Sequence, residues 1–315
     1  MTSIQIGMSK SGNLWFYNIM EKIYAARGLP FKSFIRTQPA YELMGKEDLA
    51  FPKQREIDHV SILPSRVIYR TGVHSAEEIR DVPAYLKNTT HVWLHTHWCR
   101  RSFSVLRYFD KIIYLFRDPR DMAISLSHYA FTPYRLKHFE HHEKDPATLL
   151  ARHLHFIIAS WAYHVTGYLR HRRRLNIYFI FYERLLHNFD QEMDLLTRFL
   201  DMPLSETQIK KIREELSFKS MRVDYPNHLR KGRAEGWRES LSPKQIDRVG
   251  LIAAPLLRDL GYPVRTEDPL DWKSLEVKPG LKNMRLAYIE WRAFLFRKFF
   301  SAKLKAFAHR AVSAE

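Results

Sequence analysis

The chain is poor in several things, and each shortage removes a class of protein. It has one cysteine, Cys99, in 315 residues, which excludes an intrachain disulfide framework and suits a reducing compartment. It has no apolar run long enough to span a bilayer and no leader-like opening, because an apolar strand begins within a few residues of Met1. The expectation is a cytoplasmic protein. No internal repeat is visible. Acidic residues are scarce: 34 Asp and Glu stand against 51 Lys and Arg, a net charge of +17. That imbalance favours anionic partners such as nucleotides, nucleic acid, polyanionic sugars or membrane lipid. Hydrophobic residues make up 45% of the chain, ample for one large α/β core.

The opening stretch is Ile4-Gln5-Ile6-Gly7-Met8-Ser9-Lys10-Ser11-Gly12-Asn13-Leu14-Trp15. It reads as an apolar strand, a small-residue loop carrying one lysine, and the start of a helix. Such a junction aims backbone N–H groups and a helix N-terminus at an anion, most often phosphate. Gly7 and Gly12 have the G-x-x-x-x-G spacing of a Walker A loop, but Asn13 and Leu14 stand where Lys and Ser or Thr should follow. The grip on terminal phosphates and magnesium is missing, and the lysine sits inside the loop at Lys10. This points to a transferred group that needs no metal.

Four more segments carry chemistry. Tyr114-Leu115-Phe116-Arg117-Asp118-Pro119-Arg120-Asp121 leads on to Ser125. Here a buried strand ends in an arginine, Asp118 suits an N-cap and Pro119 the first helical position. A guanidinium at a strand end grips phosphate in two-pronged fashion. Ser217-Phe218-Lys219-Ser220-Met221 puts an aromatic between helices, where it could equally be core. Asn227 to Arg238 sets Gly232 among Arg230, Lys231 and Arg233 and is followed by Trp237; a charge run of this kind is ordinarily a solvated face. His91-Val92-Trp93-Leu94-His95-Thr96-His97-Trp98-Cys99 ends an apolar strand in histidines.

In their order along the chain the segments resemble the sulfotransferases that use 3′-phosphoadenosine 5′-phosphosulfate (PAPS). Lys10-Ser11-Gly12-Asn13-Leu14-Trp15 is similar to that family's phosphosulfate loop "PKSGTTW", and the Arg117 segment to "Y-x-x-R-N-P-K-D-x-x-V-S". The Phe218 segment is similar to "T-S-F-x-x-M", with Leu216 in place of the leading Thr. The Gly232 segment looks like "R-K-G-x-x-G-D-W-K", with Glu235-Gly236-Trp237 for Gly-Asp-Trp. Thr96-His97 matches the Thr-His of "K-T-H-L-P", and the family's lysine there is His95, which supplies positive charge only when protonated. Tyr182-Glu183-Arg184-Leu185 resembles "Y-E-D-L".

The resemblance implies an α/β, three-layer P-loop-like fold with a central parallel sheet flanked by helices. It gives Lys10, Ser11, Gly12, Asn13, Leu14 and Trp15 to the 5′ side of the co-substrate, with Asn13 able to donate its amide to a phosphate oxygen. Arg117, Ser125, Arg230, Lys231 and Gly232 go to the 3′-phosphate, and Tyr182, Phe218 and Trp15 to the adenine. His97 becomes the general base, since imidazole titrates near neutral pH, and Lys10 the cation that stabilises the leaving phosphate. His95, His97 and Cys99 alternate along a strand, a spacing three metal ligands could use. The order of the segments outweighs that reading, and no metal is expected. His138, His141 and His142 read as a solvated helix end or part of a substrate-side loop.

Organisation follows from the patterning. Expected strands are Ile4–Gly7, Val67–Arg70, His91–Thr96, Lys111–Phe116 and Ile177–Phe181. Helices are expected over Asn13–Arg27, Ala76–Asp81, after Pro119, and over Pro146 to about Arg172. Further helices are expected over Leu185–Leu200, Ser205–Leu216 and Ser242–Leu260. Phe31 to about Ser65 has no clear period and reads as an irregular insertion on the acceptor side, together with His128–Glu143. Residues 1–270 form the sulfotransferase domain, and residues 271–315 a basic aromatic helical extension.

On a helical wheel of that extension Met284, Tyr288, Trp291, Leu295 and Phe299 share one side. Peripheral membrane contact through residues 281–310 and docking on the domain or on a second subunit both stay open. The acceptor is a small molecule, a glycan or a lipid; nucleic acid is not expected, and a homo-oligomer is open. Two rival readings are a P-loop kinase or NTPase, disfavoured by Asn13 and Leu14, and a nonenzymatic polyanion binder.

Overall fold

The computed structural model describes residues 1–39, 41, 49–51, 53–71, 75–140, 142–226 and 232–301. Its strands are β1 (Ser3–Ile6), β2 (Asp58–Ile62), β3 (Val67–Thr71), β4 (Ser75–Glu78), β5 (His91–Leu94), β6 (Lys111–Phe116) and β7 (Ile177–Phe181). The early helices are α1 (Asn13–Ala26), α2 (Val82–Leu86), α3 (Ser102–Leu106), α4 (Pro119–Ala130), α5 (Pro133–His138) and α6 (Pro146–Leu175). They are followed by α7 (Tyr182–His187), α8 (Phe189–Phe199), α9 (Glu206–Glu215) and α10 (Phe218–Asp224). The last are α11 (Trp237–Ser240), α12 (Pro243–Asp259) and α13 (Asn283–Ser301). Contacts group the chain into two compact units. One comprises Met1–Phe116 with Leu175–Gly232, the other Arg117–Arg174 with Arg233–Glu315.

All seven strands belong to the first unit and form one mixed sheet in the order β4-β3-β2-β5-β1-β6-β7. β2, β5, β1, β6 and β7 run parallel, and β3 and β4 add an antiparallel edge. β1 sits centrally, with Ile6 level with Leu94 of β5 and Tyr114 of β6. The chain crosses from one side of β1 to the other between β5 and β6. That places a crevice at the carboxyl ends of β5, β1 and β6, where open α/β sheets bind ligands. The core under it is continuous: Leu14, Tyr17, Ile19, Met20 and Ile23 of α1 meet Trp93, Ile113, Leu115 and Ile180 of the sheet. Met193, Leu196, Ile209 and Ile212 of α8 and α9 close that layer.

Three expectations need correction. The stretch Phe31–Ser65 is not irregular throughout, because it contains β2, which pairs with β5 inside the sheet. Its polar residues disguise it. Asp58 is buried but accepts from the backbone N–H of Phe34 (2.7 Å) and Ile35 (3.1 Å) and from the hydroxyls of Ser33 and Thr89. The helix expected over Ala76–Asp81 is instead the edge strand β4, paired antiparallel with β3. Ala and Glu favour helix, but a sheet edge overrides so weak a preference. The next helix starts only at Asp81, whose carboxylate caps the N–H of Ala84. Leu185–Leu200 is two helices, α7 and α8, divided at Asn188, whose φ of −140° leaves the helical region.

The second unit is helical. α6 buries Trp161, Val165, Tyr168 and Leu169. The described part of the C-terminal extension packs on its own chain: Leu286, Ile289 and Ala293 of α13 are buried. Arg285 pairs with Asp259 of α12 (2.7 Å), and Arg170 of α6 with Glu290. Among the described residues no helix is long and apolar enough to cross a membrane.

Candidate functional site

The loop between β1 and α1 is held by its own side chains. The N–H of Ser11 donates to the carbonyl of Met8 at 3.1 Å, closing a turn in which Lys10 adopts φ +71°. The left-handed region at that turn position normally falls to glycine or asparagine; a lysine held there bears about 1–2 kcal/mol of strain. Gly12 follows at φ +93°, and a Cβ on it would lie 2.7 Å from Cδ2 of Tyr182, so the backbone passes close against the Cδ2–Cε2 side of that ring. Asn13 turns inward: its amide donates to the Met8 carbonyl at 2.8 Å, and its own carbonyl accepts from buried Gln5 at 3.0 Å. The side-chain amide expected to reach a phosphate therefore braces the loop. Leu14 is buried in the core, and Ser11 is buried as well.

β5 delivers the histidines to the neighbouring strand end. The strand stops at Leu94, so His95, His97 and Cys99 do not alternate along a strand as the sequence reading required for a metal set. Nδ1 of His95 lies 2.5 Å from the carbonyl oxygen of Gly7; a carbonyl can only accept, so Nδ1 carries the proton. Its ring meets His59 and Trp93 edge-on, at 5.3 and 5.2 Å. Burial, with the nearby His95 and Arg70, lowers the His59 pKa to about 3. Thr96 accepts from the N–H of Ile62, tying this end to β2, and Cys99 Sγ sits at the Ile62 carbonyl. His97 follows, half-buried, two residues beyond His95. His59 was not found from sequence because its strand was hidden among polar residues.

The expected adenine aromatics also lie in the first unit. The indole N–H of Trp15 donates to the carbonyl of Leu216 at 3.1 Å, and its ring meets Tyr182 in a T-shape at 5.8 Å. Leu216, which replaces the family's threonine, thus engages Trp15 through its backbone while its side chain is buried. Phe218 opens α10 behind the N-cap Ser217. Its ring lies against Gly232 (φ +59°), where a Cβ would come within 2.1 Å. Arg230 and Lys231 lie outside the described residues, as do His141 and Asn227 to Leu229.

In the second unit, Arg117 lies just before the N-cap of α4 and Ser125 in the middle of that helix, both half-buried. Asp118 caps the helix by accepting from the N–H of Arg120 at 2.9 Å and pairs with the Arg120 guanidinium through both oxygens, at 2.9 and 2.6 Å. That guanidinium is fully buried and lies 3.6 Å from the centre of the Trp237 ring. Asp121 accepts the backbone N–H of Trp237 at 2.9 Å. Burial and the neighbouring Asp118, opposed by Arg117, raise the Asp121 pKa to about 6. Arg117 Nη2 approaches the Arg233 carbonyl at 3.4 Å. Sequence reading missed that Arg120 and Asp121 anchor Trp237; the i, i+2 spacing of Asp118 and Arg120 was the available signal. Glu235, in place of a family glycine, takes φ +59° and pairs with Arg238.

Residues 3–261 match the family described as "Sulfotransferase domain", and the chain belongs to that family. Sulfotransferase 2B1 of Rattus norvegicus is 32% identical over 114 residues, 36% of this chain and 33% of that protein. Amine sulfotransferase of Oryctolagus cuniculus is 25% identical over 167 residues, 47% and 55% of the two lengths. These two matches thus span less than two thirds of either relative. Cytosolic sulfotransferase 1 of Danio rerio is 21% identical over 277 residues, covering 82% of this chain and 83% of that protein. Among solved structures, mouse sulfotransferase SULT7A1 complexed with PAP superimposes with a TM-score of 0.53 at 18% identity, covering 82% of this chain and 84% of that one. Retinol dehydratase in complex with androsterone and inactive cofactor PAP gives 0.55 at 19% identity, with coverages of 84% and 83%. The fold is therefore that of the P-loop-like sulfotransferases.

Proposed function

We propose that this chain transfers the sulfuryl group of PAPS to an acceptor hydroxyl or amine by in-line displacement. The observation that carries the reading is Lys10 held in a left-handed turn at the carboxyl end of β1, beside the β5 end that bears His97. A loop of N–H donors with its cation inside fits a phosphosulfate, and PAPS supplies the group transferred. His97 takes the acceptor proton as the acceptor atom bonds to sulfur. Lys10 and the N–H groups of the loop stabilise the negative charge that appears on the phosphate oxygen as its bond to sulfur breaks. Arg117, Ser125 and the Arg230-Lys231-Gly232 segment take the 3′-phosphate, and Trp15, Tyr182 and Phe218 the adenine. Gly12 fits the assignment, because any side chain there would meet Tyr182 and block the close passage of the backbone.

A magnesium-dependent kinase or NTPase has less support. Asn13 is buried with its amide nitrogen donating to Met8, and Leu14 lies in the core, so the lysine and the hydroxyl of a Walker pair are both missing here. The acceptor class is a small molecule with a nucleophilic hydroxyl or amine, because relatives are named for an amine and for luciferin and one neighbour holds androsterone. A cytoplasmic location goes with this reading, as relatives include a cytosolic sulfotransferase.

The test is calorimetric titration with 3′-phosphoadenosine 5′-phosphate in magnesium-free buffer, with ATP as control. Binding that falls at least about tenfold in Lys10→Ala and in Arg117→Ala is expected, since each removes a charged hydrogen bond to phosphate. No binding, or a response only to ATP with magnesium, overturns the reading.

A further inference from the structure

α13 is apolar on two opposite sides. Leu286, Ile289 and Ala293 face the second unit and are buried. On the other side Met284 is 86% exposed, Tyr288 57% and Trp291 56%, with Tyr288 and Trp291 stacked at 6.3 Å. A surface helix normally presents charge outward once its apolar stripe is docked, so this second stripe has no role in holding the fold. Monomeric soluble proteins seldom expose large apolar side chains side by side without a partner for them.

We infer that the Met284–Tyr288–Trp291 face of α13 seats the protein on the surface of an anionic lipid bilayer. Three features select this occupant. The exposed residues are a methionine and two aromatics with a polar edge, and Tyr and Trp settle at the level of lipid headgroups. Between residues 278 and 301 the only acid is Glu290, which pairs with Arg170; Arg285 pairs with Asp259 and Arg297 lies over the Tyr163 ring, so the basic border rests on Lys278, Lys282, Arg292 and Lys298. Exposed Arg173, at the end of α6, donates to the carbonyl of Pro279 and adds to the same basic border. A two-fold contact with a second copy would bring that border against its own image, whereas anionic headgroups complement it. The net charge of +17 acts in the same direction at longer range. This inference is independent of the sulfuryl-transfer reading.

The experiment is co-sedimentation of the full chain with phosphatidylcholine vesicles, with and without about 30% phosphatidylserine, at low salt. Binding to the anionic vesicles, weak on neutral ones and reduced at high salt, is expected. Tyr288→Ser with Trp291→Ser should weaken it at least about tenfold, from the apolar area lost. Both positions are exposed, so the double variant should melt like the parent. Lys282→Glu with Lys298→Glu should abolish the preference for anionic vesicles while leaving the aromatic face intact. A protein that stays in the supernatant, or a serine variant that binds like the parent, overturns the inference. So does a concentration-dependent dimer that the serine pair disperses, because the face would then belong to a second copy.

Discussion

His95 donates from Nδ1 to the carbonyl oxygen of Gly7, so the end of β5 holds the first residue of the proposed phosphate loop by a side chain as well as by the backbone bond from the Gly7 N–H to the Leu94 carbonyl (3.2 Å). The resemblance implies a lysine that supplies positive charge at this position; here the histidine is a clamp. His95→Ala should loosen the loop and lower affinity for 3′-phosphoadenosine 5′-phosphate roughly tenfold, the value of about one hydrogen bond. His95→Gln, which can still donate, should restore part of it. Calorimetry on the two variants gives the comparison, and equal affinities would remove the clamp.

His97 has a different signature. As the proposed general base it should affect turnover far more than binding. His97→Ala is expected to lower kcat by about two to four decades with little change in the affinity for 3′-phosphoadenosine 5′-phosphate. A fall in that affinity matching the fall in rate would make His97 a binding residue.

Gly12→Ala faces both a steric and a conformational obstacle. The added methyl would lie 2.7 Å from the Tyr182 ring, on backbone at φ +93°. We expect a loss of about 1–3 kcal/mol in urea-melt stability from the left-handed strain and the displaced ring. Gly12→Ala combined with Tyr182→Ala should recover the steric part, which separates the two causes.

Asp121→Asn should stabilise the protein at pH 7.5. Asparagine keeps the Oδ1 acceptor for the Trp237 N–H and removes a buried charge. Because burial raises the Asp121 pKa from 3.8 to about 6, the folded form holds its proton more tightly. The stability this contributes is complete below about pH 3.8 and is lost as the pH rises through 6. The variant should therefore gain about 1–3 kcal/mol at pH 7.5 and little at pH 4. Urea midpoints at the two pH values provide the check.

The buried histidines act in the opposite direction. His91 takes a hydrogen bond from Ser3 Oγ at Nδ1 (2.7 Å) and donates from Nε2 to Gln5 (2.9 Å). Burial lowers its pKa from 6.5 to about 3. Its contribution is complete above pH 6.5 and disappears as the pH falls toward 3. Between pH 7.5 and 6, His91→Gln should lose about 1 kcal/mol less than the parent; an unchanged pH slope would mean that His91 already carries its proton in the folded chain.

Much of the proposed site was legible because a phosphate-type loop is built from adjacent residues. A strand, a turn with its lysine and a helix start occupy Ile4 to Trp15 without a gap, and the Arg117 segment likewise carries its own strand end, N-cap and proline. β6 and β7 have the bounds that apolar runs edged by charge or turn predicted. β2 and β4 were not legible. Asp58 in β2 is tolerated only because Ser33, Phe34, Ile35 and Thr89 come from elsewhere to satisfy it, and β4 is a strand only because β3 lies beside it.

The sequence by itself determined which residue types stand in the loop proposed to meet the phosphates, since a loop of adjacent residues brings its donors with it. Tertiary structure decided what several of those residues do. Asn13 braces the loop, His95 clamps Gly7, Arg120 lies buried over Trp237, and α13 keeps a second apolar side outward. The physical reason is the same each time. Whether a polar side chain donates to a ligand or to its own chain, and whether an apolar face is core or surface, depends on neighbours distant in sequence, and folding alone brings them into reach.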